Sequence, residues 1–189
     1  MNNKVIFITG DRGVGKSTSL FTVCEKIKTQ TDHELCGFET LFLERTDGNF
    51  SDLIFRMFGS KEDYTFIAER YFSTEKKSIK TSEKGFTEAA NRIFSLNTKN
   101  KFFIFDEIGF LETKFESFRN AVENKIKESF LSVAVVRKGN YNFINSLIEK
   151  YSHRVFEVTF ENRTYIWEKI YKEIMILCDN LNDNLPGGI

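Results

Sequence analysis

The chain has few of the residues that build disulfide frameworks or metal centres, and few that interrupt regular structure. Its 189 residues include three cysteines, two histidines and one proline. The cysteines, Cys24, Cys36 and Cys178, are odd in number and far apart, which argues against a disulfide framework and against metal-ligand spacing. We expect buried free thiols in a reducing compartment. We also expect His33 and His153 to be isolated side chains and not metal ligands.

The chain also lacks an excess of charge of either sign and any long apolar run. Lysine plus arginine and aspartate plus glutamate each number 27, so the net charge is zero. A nonspecific nucleic-acid binder normally needs a basic surface, so nucleic acid is not an expected partner. No stretch reaches the roughly 18 apolar residues that span a bilayer, and no signal peptide is visible. We expect a cytoplasmic monomer without a membrane partner.

Apolar runs typical of buried strands alternate with segments of helical periodicity. This alternation predicts βαβ units, a mostly parallel sheet and an α/β fold. Length and a hydrophobic content of 41% suit a single globular domain over 1–189. Phe94 is expected on the inner face of its helix with Ala89 and Ile93. The predicted strands are 4–9, 101–107, 131–136 and 154–160, and the predicted helices are 16–28, 86–96, 117–129, 141–151 and 164–181.

The region that follows the first helix is harder to interpret. Strand-like runs flank the turn dipeptide Asp47-Gly48, which predicts a β-hairpin inserted after that helix. Residues 50–86 are compatible with either strands or short helices.

The stretch "GDRGVGKS" fits the pattern G-x-x-x-x-G-K-[ST]. It follows a predicted strand and opens a predicted helix, which is the context of a phosphate-binding loop; the alternative is an accidental glycine turn. In such a loop Lys16 reaches the β- and γ-phosphates and the Ser17 hydroxyl ligates Mg²⁺. Backbone N–H groups bind the remaining phosphate oxygens. The predicted binding positions are Gly10, Asp11, Arg12, Gly13, Val14, Gly15, Lys16, Ser17 and Thr18.

A second motif, "FFIFDEIG", ends a buried strand in two acids. Asp106 suits the residue that holds Mg²⁺ opposite the loop hydroxyl; the alternative is an aspartate that caps a loop. Glu107 can orient a water molecule or take its proton during attack on the γ-phosphorus. This favours hydrolysis over transfer to an acceptor; the alternative is a solvated glutamate after a strand. We expect Lys16 and Glu107 to be catalytic.

Together these motifs resemble the small nucleoside-triphosphate phosphatases first described in thermophiles, a family with a human cancer-related relative. The similarity covers most of the chain and includes "ITGDRGVGKST", "GFET", "FDEIGFLE", "VAVVRK" and "FEVTFENRTYI". The "DEIG…E" string with a late "ENR" is more specific than the phosphate loop. Arg12 departs from the family pattern, which often has proline at that position.

The resemblance implies a three-layer, RecA-like P-loop fold. It also implies Mg²⁺-dependent hydrolysis of nucleoside triphosphates, with ATP and GTP both as substrates. It places nucleotide-binding roles on the phosphate loop and on a second segment. That second segment comprises Phe105, Asp106, Glu107, Ile108 and Gly109.

Other candidates come from strand ends, because loops at the carboxyl ends of parallel strands line the ligand crevice. Arg137 is a candidate internal arginine finger, and Asn162 with Arg163 is placed to border the base; for both arginines the alternative is a solvated charge. Arg45 is a weaker candidate finger, and Glu112 is expected to position a neighbouring loop. Phe38, Phe50 and Phe110 are candidate base contacts, with core packing as the alternative.

Two other function classes remain compatible with the motifs. A small-molecule or nucleotide kinase uses the same phosphate loop. A regulatory module would use nucleotide hydrolysis to act on a partner.

Overall fold

All eight described strands join one sheet, with helices on both of its faces. The computed structural model describes residues 4–46, 48–60, 63–72 and 77–183. The elements are β1 (Val5–Gly10), α1 (Lys16–Gln30), β2 (Leu35–Glu44), β3 (Phe50–Met57), β4 (Tyr64–Phe72), β5 (Lys77–Thr81), α2 (Glu83–Ser95), β6 (Phe102–Ile108), a 3₁₀ helix (Glu112–Lys114), α3 (Glu116–Glu128), β7 (Leu131–Val136), α4 (Asn142–Tyr151), β8 (Ser152–Val158) and α5 (Ile166–Asp183).

The sheet has a parallel half and an antiparallel half. The strand order is β5-β4-β3-β2-β6-β7-β1-β8. β2, β6, β7, β1 and β8 pair in parallel, whereas β3, β4 and β5 continue from β2 as an antiparallel extension. The predicted α/β fold, its mostly parallel sheet and the insertion after the first helix are confirmed.

The insertion is larger than the predicted hairpin. Residues 50–86, whose sequence is compatible with either strands or short helices, form β3, β4, β5 and the start of α2. Asp47 lies outside the described residues. Gly48 has φ +71°, which suits the turn between β2 and β3.

The central parallel strands β1, β6 and β7 are buried on both faces, which explains their continuous apolar runs. One face packs on α1 and α5 through a cluster that includes Ile6, Ile8 and Leu20. The other face packs on α2, α3 and α4 through an aromatic cluster around Phe38. Sheet and helices therefore form three layers, as predicted.

Phe38 is fully buried, with ring centroids of Phe55, Phe105 and Phe118 at 5.1, 5.8 and 5.6 Å. Phe38 therefore packs in the core, which was the alternative to its role as a base contact. Phe50 contacts Tyr71 at 4.8 Å at the far end of the extension. Neither ring lines the cavity described below.

Three local expectations were wrong. Phe94 is 44% exposed, because it follows buried Ile93 by one residue and so turns away from the inner face of α2. The last strand, β8, ends at Val158, and Phe160 lies beyond it in a turn. Cys36 is half-buried rather than buried, and its sulfur lies 3.6 Å from the carbonyl oxygen of Phe102.

Each of the two histidines contacts another side chain. The His33 ring stacks on Phe130 at 4.9 Å, and His153 Nε2 lies 2.8 Å from a carboxylate oxygen of Glu173. Within the described ranges, no helix has the length and apolar character needed to cross a membrane.

Candidate active site

The loop between β1 and α1 starts and ends on glycines that the geometry requires. A Cβ on Gly10 would lie 2.4 Å from the carbonyl oxygen of Val158 on the adjacent strand. Gly15 caps the N-terminus of α1 with φ +105°, a conformation that L side chains rarely adopt. Between them, buried Val14 anchors the loop, while Asp11 and Arg12 are exposed. The N-terminus of α1 therefore opens directly onto the loop.

Lys16 is the first residue of α1, and its side chain is only 7% exposed. Its ammonium donates hydrogen bonds to the carbonyl oxygens of Gly10, at 3.2 Å, and Asp11, at 3.1 Å. The same nitrogen lies 3.4 Å from an oxygen of Glu107. The ammonium is thus held between the loop and the acidic pair.

Ser17 and Asp106 meet across the junction of α1 and β6. The Ser17 hydroxyl donates to Asp106 Oδ1 at 3.1 Å, and Asp106 is 5% exposed. Burial, helped by the charges of Glu107 and Glu39, raises the pKa of Asp106 to about 6, although the Ser17 hydrogen bond and the charge of Lys16 oppose the rise. The site therefore has a buried carboxyl group whose charge is incompletely compensated by the protein.

Glu107 is more accessible than Asp106, because its side chain is 33% exposed. Its backbone is held by Thr40 on β2. The Thr40 hydroxyl donates to the carbonyl oxygen of Glu107 at 3.0 Å, and the Glu107 N–H approaches the same hydroxyl at 3.3 Å. Thr40 was missed from the sequence, although it stands in the "GFET" segment. To predict the contact of Thr40 with Glu107, one would have needed to know that β2 pairs with β6 in the register that places Glu39 opposite Asp106.

Glu112 anchors the segment after β6, as expected. Its Oε2 accepts a hydrogen bond from the Gly109 N–H at 2.9 Å, and the side chain is 4% exposed. Burial, helped by the charge of Glu107, raises the pKa of Glu112 to about 7, although backbone hydrogen bonds and the charge of Arg137 oppose the rise. This carboxyl group holds the loop that carries Phe110 and Leu111 against the site.

Arg137 follows β7 and lies at the same end of the sheet. Its N–H donates to the carbonyl oxygen of Ile108 at 3.0 Å, and its guanidinium lies 5.5 Å from the ring centroid of Phe110. Neighbouring Lys138 contacts Glu157 at 2.6 Å and Asp11 at 3.8 Å. Both cations line the cavity above the phosphate loop.

That cavity has a volume of about 1030 Å³. It extends from the phosphate loop and the acidic pair across to the antiparallel extension. The loop and acidic-pair side contributes Gly10, Asp11, Arg12, Lys16, Ser17, Asp106, Glu107 and Gly109.

Several predicted binding residues lie outside this lining. The side chains of Phe105 and Ile108 are fully buried in the core. Asn162 uses its amide locally, because its Oδ1 accepts from the Thr159 N–H and its Nδ2 donates to the Glu157 carbonyl, both at 2.9 Å. The other predicted binding positions outside the lining are Gly13, Val14, Gly15, Thr18 and Arg163.

Arg163 lies on the opposite side of the phosphate loop from Asp106. A Cβ on Gly15 would be 3.8 Å from the Arg163 Cβ. Its guanidinium stacks 5.3 Å from the ring centroid of exposed Phe160. Arg45, by contrast, pairs with Asp52 and Glu69 in the extension and does not reach the cavity.

The topology and the site together define a P-loop nucleotide-binding protein. The phosphate loop follows β1, the acidic pair ends β6, and β7 lies between those two strands, as in the RecA-like arrangement. The family model described as NTPase matches residues 5–171, and the chain therefore belongs to the NTPase family and is an enzyme of that family.

Curated relatives align with the chain over nearly the full length of both proteins. The chain is 26% identical over 181 residues to the nucleoside-triphosphatase THEP1 of Natranaerobius thermophilus, covering 92% of this chain and 98% of the relative. It is 27% identical over 173 residues to the THEP1 of Sulfurisphaera tokodaii, covering 90% and 94%. These relationships support nucleoside-triphosphatase activity at the level of the family.

Two solved structures share the fold. The crystal structure of THEP1 from Aquifex aeolicus aligns with a TM-score of 0.63 at 24% identity, covering 90% of this chain and 98% of that one. The solution structure of a human cancer-related nucleoside triphosphatase aligns with a TM-score of 0.67 at 19% identity, covering 92% and 98%.

Proposed function

We propose that the chain hydrolyses nucleoside 5′-triphosphates, ATP and GTP among them, to diphosphate and phosphate with Mg²⁺ as cofactor. One observation carries the proposal. The Lys16 ammonium lies between two loop carbonyl oxygens and a Glu107 carboxylate at 3.4 Å, while Ser17 contacts Asp106 at 3.1 Å. A phosphate-binding cation, a pair of oxygen ligands and an accessible base thus occupy one end of the sheet.

The phosphate loop holds the triphosphate through backbone N–H groups and the positive N-terminal end of α1. Gly10, Asp11, Arg12, Gly13, Val14, Gly15 and Thr18 contribute through the backbone. Lys16 exchanges its hydrogen bond to a loop carbonyl oxygen for oxygens of the β- and γ-phosphates. The binding roles of Phe105, Ile108 and Gly109 are indirect, because they position the acids between them.

Ser17 and Asp106 fit Mg²⁺, which prefers a few hard oxygen ligands from the protein together with phosphate oxygens. Their contact at 3.1 Å already brings a hydroxyl and a carboxylate oxygen together. The cation, when bound, neutralises charge on the β- and γ-phosphates. It would also favour the ionised form of Asp106, which burial disfavours.

Glu107 takes a proton from the attacking water. The water oxygen bonds to the γ-phosphorus as the bond from that phosphorus to the bridging oxygen breaks, and the diphosphate leaves with that electron pair. Two features support this role: the carboxylate is 33% exposed beside the cavity, and Thr40 fixes its backbone through two hydrogen bonds. A general base needs both access and position.

Arg137 is proposed to bring positive charge to the γ-phosphate, as an arginine finger does in cis. Its place at the cavity, beside Gly109 and Phe110, supports this. Asn162 and Arg163 are proposed to border the base. Arg163 lies next to Gly15, on the side of the loop away from Asp106.

We further propose that residues 1–189 act as one domain, in a cytoplasmic monomer that does not bind nucleic acid. The balanced charge supports the last point. A phosphate assay with and without added RNA and DNA tests it. A large rise in rate with either polymer would contradict it and favour a regulatory module.

The central experiment compares steady-state phosphate release from ATP, GTP, CTP and UTP with Mg²⁺ and without any acceptor. We expect release from all four. Glu107→Gln should retain nucleotide binding and lower kcat by about 10²-fold, because the amide cannot accept the proton. The exposed Glu168 on α5 supplies the matched control, Glu168→Gln, with wild-type turnover.

Two results would contradict the proposal. If Glu107→Gln has the kcat of the wild type, Glu107 is not the general base. Transfer of phosphate to an acceptor, with no release in its absence, would identify a kinase instead.

A further inference from the structure

The cavity has a second wall, formed by the antiparallel extension together with Phe42 of β2, and distinct from the phosphate loop. Residues of β2, β3, β4 and β5 line it. We call this surface the far wall; it consists of Phe42, Leu53, Arg70, Phe72, Lys77 and Ile79. It is absent from the phosphate-binding mechanism proposed above.

Distance separates the β4 and β5 residues of the far wall from the acidic pair of β6, whereas Phe42 on β2 lies one strand spacing from β6. Neighbouring strands are about 4.8 Å apart, so the backbone of β4 lies about 14 Å from β6 across three strand spacings. Lys16, Ser17 and Asp106 hold the triphosphate at the opposite wall. The cavity volume of about 1030 Å³ leaves room for a ligand on each side.

Arg70 is the central cation of the far wall. Its guanidinium lies 3.9 Å from the ring centroid of Phe42 and 4.9 Å from that of Phe72, and its Nε donates to Ser51 Oγ at 3.0 Å. Stacking occupies the faces of the guanidinium and leaves its N–H edge for an anion. Within the described ranges no carboxylate is hydrogen-bonded to it.

Arg12, the residue of the phosphate loop that departs from the family pattern, lines the same cavity as Arg70. Burial lowers the pKa of Arg70, and the charge of Arg12 lowers it further, while Glu44 opposes the shift. Lys77 and Lys114 also line this part of the cavity, whereas the acidic lining residues belong to the phosphate loop or to the segment around β6. An anion between Arg12 and Arg70 would relieve their repulsion.

The far wall also exposes apolar surface. Phe42 and Ile79 are each 38% exposed, and Phe72 and Phe110 are partly buried. Rings and aliphatic side chains beside a stacked guanidinium suit a planar, weakly polar group. The ligand chemistry that matches cations and rings together is a phosphate joined to a flat heterocycle.

We propose that the far wall binds a second phosphorylated ligand, of the class of nucleoside monophosphates, while the triphosphate occupies the phosphate loop. Arg70 and Arg12 contact its phosphate, and Phe42 with Ile79 contacts its base. The proposal rests on the proposed function only in assigning the triphosphate to the loop.

Equilibrium dialysis tests it. The chain is saturated with Mg²⁺ and the slowly hydrolysed analogue β,γ-imido-ATP, and labelled AMP, GMP or inorganic phosphate is added. We expect one further equivalent of AMP or GMP. Arg70→Gln should weaken that second binding about tenfold or more without changing the stoichiometry of the analogue. Phe42→Leu should weaken AMP binding while leaving the weaker binding of inorganic phosphate unchanged.

The matched control is Arg154→Gln. Arg154 also lies over a ring, that of Phe156 at 5.8 Å, but on the opposite edge strand and outside the cavity. It should bind both ligands like the wild type. If Arg70→Gln does not fold, as judged by circular dichroism, Phe42→Leu decides the question alone.

The outcomes separate the two proposals. Failure to bind the analogue contradicts the proposed function, and Arg70-dependent binding of AMP to the free chain then still tests the far wall. A single bound equivalent in the presence of analogue overturns the second site. Loss of analogue binding in Arg70→Gln also overturns it, because the far wall would then hold part of the triphosphate nucleotide itself.

Discussion

The parallel and antiparallel halves of the sheet differ in how strongly local sequence specifies them. The parallel half, from β8 to β2, has helices on both faces, and its central strands β7, β1 and β6 are buried, continuous apolar runs. The extension, from β3 to β5, keeps exposed residues such as Tyr64 and Phe66. The proposed catalytic motifs lie on the parallel half, and the far wall lies on the extension apart from Phe42 of β2. In these proposals, chemistry and binding of the second ligand fall largely on differently constrained parts of one sheet.

The largest expected effect is on the parallel half. Lys16→Ala should lower kcat/KM by about 10³-fold, since it removes the cation held between the loop and Glu107. Phosphate release under steady-state conditions measures the loss, and thermal unfolding should stay close to that of the wild type. Lys138→Ala, which removes an exposed lysine of the same cavity, is the control. Equal losses in both variants would mean that general positive charge, and not the position of Lys16, matters.

A second comparison concerns stability. Phe38→Ala should lower the free energy of unfolding by about 3–5 kcal/mol, because Phe38 is fully buried among three other rings. Phe66→Ala on β4, where the ring is 40% exposed, should cost about 0.5 kcal/mol or less. Urea unfolding measures both. Similar costs would show that the extension is packed as tightly as the parallel half.

Glu112 permits a test by pH. Its pKa is raised to about 7 in the folded chain, so the folded state binds more protons than the unfolded state between about pH 4.5 and 7. Wild-type stability from this group is therefore present at low pH and lost as pH rises to 7. Glu112→Gln removes the titration and keeps an oxygen for the Gly109 N–H.

The Glu112→Gln variant should therefore gain about 2 kcal/mol over the wild type between pH 5 and pH 8, as measured by urea unfolding at each pH. Exposed Glu116 supplies the control, Glu116→Gln, which should show no such trend. A pH-independent difference between Glu112→Gln and the wild type would refute the assigned titration.

The smallest effect concerns the start of α2, which packs on β4 of the extension. The Ser82 hydroxyl accepts a hydrogen bond from the Gly85 N–H at 3.0 Å, so Ser82→Ala should cost about 1 kcal/mol. Ser82→Asp, which keeps an acceptor, should recover most of it. Unfolding midpoints of the three chains provide the measurement, and equal midpoints would show that the cap is dispensable.

The sequence predicted structure correctly where a motif or period lies in adjacent residues. It failed where the structure depends on pairing between strands that are far apart in the chain. Helical periodicity placed Ile93 correctly, yet Phe94 was wrongly assigned to the same face. The 50–86 region alternates imperfectly, and β3 and β4 pair with a register shift between Leu53 and Ile54, so no simple period marked it as a set of strands. The packing of Phe38 among other phenylalanines was also invisible locally, since four separate elements supply the rings.

The sequence by itself determined the family, the α/β class and the two motifs, because the phosphate loop and the acidic pair each carry their chemistry in a few adjacent residues. Only the tertiary structure decided which residues face those motifs. The register of β2 against β6 brings Thr40 to Glu107, and the antiparallel extension brings Arg70 to the cavity that Arg12 also lines. Strand pairing joins residues far apart in the chain, and no local pattern records the partner.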